Sequence, residues 1–132
     1  MVTLSVGICF LCSVVVGAHG YEDVDFNFDF SALSFARYTA SQRKDTKSPA
    51  YTYVDYLSNG RECYFSVVYD DKSQSSYTER VLIDEADIWY CISSNVVEDE
   101  GSGCYVKLRG DRIGVGSMHV SGWWSADSYR CQ

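Results

Sequence analysis

The sequence predicts an all-β protein, a single-domain antiparallel β-sandwich or small barrel carrying two disulfides. Three observations support this class. The stretch VDFNFDF (24–30) alternates Val24, Phe26, Phe28 and Phe30 with Asp25, Asn27 and Asp29, the period-2 pattern of a strand with one buried and one wet face. A series of short segments rich in aromatic and β-branched residues follows, separated by polar turns, as in sandwiches and barrels. The cysteines downstream of residue 20 are Cys63, Cys91, Cys104 and Cys131, an even set that argues for two disulfides in a small exported chain.

Residues 1–20, MVTLSVGICFLCSVVVGAHG, hold no Asp, Glu, Lys or Arg and end in small residues at an A-x-A-like spacing. They read as a secretory signal peptide, so a secreted domain is expected over 21–132, and Cys9, Cys12 and His19 leave with the leader. No hydrophobic stretch of about 20 residues follows, so no membrane span is expected. The formal net charge is −7, which opposes binding to nucleic acid or to anionic lipid surfaces.

The elements follow in order. After 24–30, the segment SALSFARYTASQRKDTKSP (31–49) reads as an irregular strand running into a basic, exposed loop that ends at Pro49. AYTYVDYL (50–57) and RECYFSVVY (61–69) are strands joined by a hairpin at Ser58-Asn59-Gly60, and YTERVLI (77–83) and IWYCIS (88–93) are strands on the same evidence. DDKSQSS (70–76) and NVVEDEGSG (95–103) are polar loops. CYVKLR (104–109) puts Cys104, Val106 and Leu108 on one face and Tyr105, Lys107 and Arg109 on the other. Gly110-Asp111 suits a type II′ turn into a last strand, RIGVGSMHV (112–120), and Arg130 and Cys131 follow near the closing WW pair.

Three sets of residues could carry function. The four cysteines downstream of residue 20 show no C-x-x-C spacing and share one remaining histidine, His119, so they lack the close ligand pairs of zinc sites and no metal or cofactor is expected. Glu79, Arg112 and His119 offer a carboxylate, a cation and a histidine, a trio similar to that of the guanyl-specific microbial ribonucleases; general acid–base work needs them within hydrogen-bond reach of one substrate atom. Trp123 and Trp124 alternate onto opposite faces, so at most one enters the core, and an exposed indole with Tyr105 could anchor a partner.

The run into DFSA (29–32), the mid-chain Cys63, the WYC of 89–91 and the closing RCQ (130–132) together resemble the small secreted cysteine-containing β-proteins of filamentous fungi, the family of the Alternaria major allergen and related plant-immunity elicitors. The resemblance implies an all-β fold, a non-enzymatic role at a host or cell surface, and sequential pairing of Cys63 with Cys91 and Cys104 with Cys131. Loop entropy does not choose among pairings, since the alternatives lie within about 1 kcal/mol of one another. The leading expectation is thus a secreted binding protein of effector, elicitor or allergen type whose partner is an extracellular protein or host surface component. A ribonuclease-like hydrolase and a carrier of a small apolar ligand are the alternatives.

Overall fold

The computed structural model describes residues 22–131; the expected leader lies outside the described residues. In chain order the elements are β1 (Val24–Phe30), β2 (Ala36–Tyr38), β3 (Gln42–Lys44), β4 (Ala50–Leu57), β5 (Cys63–Tyr69), β6 (Val81–Ile83), β7 (Ile88–Ile92), α1 (Val96–Glu100), β8 (Cys104–Arg112) and β9 (Met118–Ser125). They form two antiparallel sheets. A four-stranded sheet has the order β1-β9-β4-β7, and a five-stranded sheet has the order β2-β8-β5-β6 with β3 also paired to β8. Two separate sheets sharing one core make this a sandwich.

Alternation decides which side chains meet between the layers. Phe26, Phe28 and Phe30 of β1, Val54 of β4 and Trp124 of β9 point inward from one sheet, and Phe65, Val67, Val106 and Leu108 from the other. Phe28 packs edge-on against Phe65 with ring centroids 5.7 Å apart. Gly110 does not turn the chain: β8 runs straight through it. A Cβ there would lie 2.8 Å from Cδ2 of Phe28, so the glycine leaves room for a ring arriving from the facing sheet. The turn falls later, at 113–117, where Gly114 and Gly116 take φ of +82° and +88° and Arg61 donates to the carbonyls of Ile113 and Ser117.

Other expectations are corrected in the same way. Ser58-Asn59-Gly60 does not close a hairpin; the turn carries the chain from β4 in one sheet to β5 in the other. Residues 31–49 contain the two short strands that pair with β8. Residues 95–103 contain α1, whose Val96 and Val97 are buried. The loop expected to be exposed and basic holds Lys44 almost fully buried. Its ammonium donates to the carbonyl oxygens of Ser48 and Ala126 and to Oδ1 of Asp127 at 3.2 Å. Asp127 in turn accepts from the Asp45 and Thr46 amides. A buried ion pair persists only when its remaining hydrogen-bonding capacity is also filled, and here it is.

Two disulfides were expected, and among the described residues one is present. It joins Cys91 to Cys131, with Cα atoms 5.7 Å apart, while Cys63 and Cys104 are free thiols. The sequential pairing fails for geometric reasons. Cys63 is fully buried on the inner side of the five-stranded sheet, whereas Cys91 faces outward from the four-stranded one. Cys104 turns its thiol toward the Val96 carbonyl inside, away from Cys131. Nor can the two free thiols meet each other: Cys63 sits opposite Arg112, at the far end of β8 from Cys104, roughly 26 Å away at strand rise.

Three measurements check this arrangement. A non-reducing peptide map links the peptides containing residues 91 and 131. Cys63, whose thiol burial pushes up to about 12, resists alkylation at pH 8 until denaturant is added, since the thiolate is the reactive form. Asp127→Ala strands the buried Lys44 ammonium and lowers stability by about 3 kcal/mol in urea unfolding.

Candidate functional site

The outer face of the four-stranded sheet is built by the same alternation that fills the core. Register places Asp25 of β1 beside Trp123 of β9, Trp123 beside Tyr53 of β4, and Tyr53 beside Trp89 of β7. One row across the sheet thus holds three aromatic rings and a carboxylate. Tyr53 and Trp123 stack with centroids 4.5 Å apart and planes 19° from parallel. A Cβ at Gly122 would fall 1.9 Å from the Tyr53 carbonyl oxygen, so only glycine lets β4 lie this close. Just beyond, the register shifts between Val54 and Tyr56, a bulge that brings Tyr56 to the outer face beside His119, with ring centroids 5.4 Å apart. Asp55 at the bulge accepts from the Ser121 hydroxyl.

The segment after β9 crosses part of this face. The Cys91–Cys131 bond ties it down, Arg130 lies 4.5 Å over the Tyr51 ring, and Arg130 also pairs with Asp23. Tyr51 is only 4% exposed as a result. Burial raises its phenol above the ordinary value, and the Arg130 charge works against that rise. Trp89, by contrast, is 57% exposed. Together with Tyr53, Asp87 and Ile88 it lines an open cleft of about 370 Å³. Asp87 holds φ at +65°, a left-handed conformation that Asp and Asn adopt more readily than most residues. Its amide is tied to the Val54 carbonyl at 2.7 Å.

The residues singled out in the sequence are distributed across the molecule. Trp123 stands on the aromatic row. Trp124 is corrected as a binding residue: it is fully buried, with its indole nitrogen and the hydroxyl of its cross-strand neighbour Thr52 both unpaired in the core. Tyr105 is 55% exposed but on the outer face of the opposite sheet, so it shares no surface with Trp123. Sequence reasoning missed Tyr53, Trp89 and Asp87. The period-2 run of AYTYVDYL does place Tyr51 and Tyr53 on one face, but which neighbours complete that face depends on pairings distant in the chain.

Glu79, Arg112 and His119 are not brought together. Glu79 accepts from the Ser93 amide beside the start of β4, while His119 hydrogen-bonds Ser58 past the end of β4, roughly 23 Å away at strand rise. Arg112 is buried and donates to the Ser31 and Gly116 carbonyls, whereas His119 faces outward. No substrate atom could lie within reach of all three. The space between the sheets, where a carried ligand would sit, is occupied by the packed core.

A second concavity, of about 720 Å³, lies between the 70–74 loop and α1. Three of its four carboxylates already hold the chain: Asp70 accepts from Ser41, Asp71 from the Ser73 amide, and Asp99 from the Ser76 amide and hydroxyl. Among the described residues no group of three His, Cys, Asp or Glu side chains gathers as a metal site would require, and no helix is long and apolar enough to cross a membrane.

Fold and surface together define an antiparallel β-sandwich with one disulfide and an aromatic outer face. Residues 13–128 match the family described as Protein of unknown function (DUF2712), and the chain belongs to that family. No curated protein and no solved structure matches it.

Proposed function

We propose that the chain is an exported, disulfide-stabilised binding protein that works without catalysis, in the manner of an effector, elicitor or allergen-like protein at a host or cell surface, through the outer face of its four-stranded sheet. The observation that carries this reading is the row of Trp123, Tyr53 and Trp89 on a solvent-facing sheet. Trp and Tyr give large contact area at low entropic cost and are enriched where binding energy concentrates. The leader-like 1–20 segment and the disulfide support an oxidising, extracellular setting.

Labelled protein binding to intact cell surfaces provides the test. Trp89→Ala and Trp123→Ala each weaken binding about tenfold or more, with circular dichroism unchanged, whereas Tyr105→Ala on the opposite sheet stays within about twofold. Equal losses from Tyr105→Ala, or none from the two tryptophan variants, would overturn the assignment of this face.

A further inference from the structure

Several tyrosine rings of this molecule carry a cation over one face. Arg80 lies 4.3 Å over Tyr64, Arg130 4.5 Å over Tyr51 and Lys72 4.6 Å over Tyr38. The cleft between Tyr53 and Trp89 differs from these. Among the described residues no Lys or Arg lies over either ring, yet Asp87 stands in the cleft as an exposed carboxylate. Asp25 adds a second carboxylate to the same outer face, beside Trp123, and Arg130 is engaged by Tyr51 and Asp23.

We infer that the cleft formed by Tyr53, Asp87, Ile88 and Trp89 receives an arginine side chain presented by a basic partner protein. This deepens the proposed function, and rests on it only for the partner being a protein. Charge complementarity supports the occupant: a chain of net charge −7 offers aromatic walls and a carboxylate in one cleft. The planar guanidinium suits the site better than an ammonium. It stacks flat on ring faces, sheds its weak hydration readily, and presents paired N–H donors to one carboxylate.

The test is a titration of the intact protein followed by its indole N–H resonances. The probe is an end-blocked Gly-Arg-Gly peptide, compared with the same peptide carrying citrulline, which keeps the shape and removes the charge. The expected result is a saturable shift at Trp89 with Trp124 unmoved, and citrulline binding at least about tenfold weaker. Asp87→Asn, which tolerates the left-handed backbone, weakens the arginine peptide by a similar factor. Equal binding of the two peptides, an unchanged affinity in Asp87→Asn, or no saturable shift at Trp89 would overturn the inference. Because no cell surface enters this titration, its failure is distinguishable from failure of the surface-binding test.

Discussion

The contact on which the molecule depends is the seating of the β1 phenylalanines against the bare backbone at Gly110. Sheets in a sandwich stand about 10 Å apart, with side chains interdigitating in between. Here Phe28 reaches far enough to occupy the space a Cβ would need on β8, and Phe26 and Phe65 close around it edge-on, with centroids 5.4 Å apart. Interiors packed at this density tolerate neither added nor missing volume. The direction of every outward side chain on β1, β9 and β4 follows from that seating, and so does the aromatic row.

A second constraint acts at the chain's late crossing. The Lys44–Asp127 pair fixes where the backbone leaves β9, and the Cys91–Cys131 bond fixes where it arrives over β7. Between them the segment covers Tyr51 and stops short of Tyr53 and Trp89. The open part of the face is therefore bounded by polar and covalent ties, and within it Tyr53 stacks on Trp123. In the chain-entropy account the disulfide contributes about 4 kcal/mol, large beside the stability of a domain this size.

Much of the fold was legible locally. The bounds of β1 and β4 read directly from VDFNFDF and AYTYVDYL, because each alternation lies wholly within one strand. Gly110-Asp111 misled because a glycine followed by aspartate satisfies turn chemistry; the ring that makes it a strand position comes from residue 28. Lys44 misled because its neighbours Arg43 and Lys47 are exposed, and only Asp127, distant in sequence, explains its burial. The cysteine pairing was likewise beyond local reading, since it depends on which sheet face each thiol points from. Of the candidate surface, Trp123 was recognisable from the WW pair by alternation. Trp89 was not, because its exposure follows from β7 being an edge strand, a property of topology rather than of its neighbours.

The bond between residues 91 and 131 also sets an order of events as the chain emerges. Cys63, Cys91 and Cys104 all precede the correct partner of Cys91, so an oxidant meets two competing thiols before Cys131 is available. Burial separates the thiols: the pairing of β5 with β8 withdraws Cys63 into the five-stranded sheet and half-buries Cys104, while Cys91 stays on the outer face. Collapse of the core before oxidation therefore favours the native bond, and oxidation faster than the two layers close would favour mispairing.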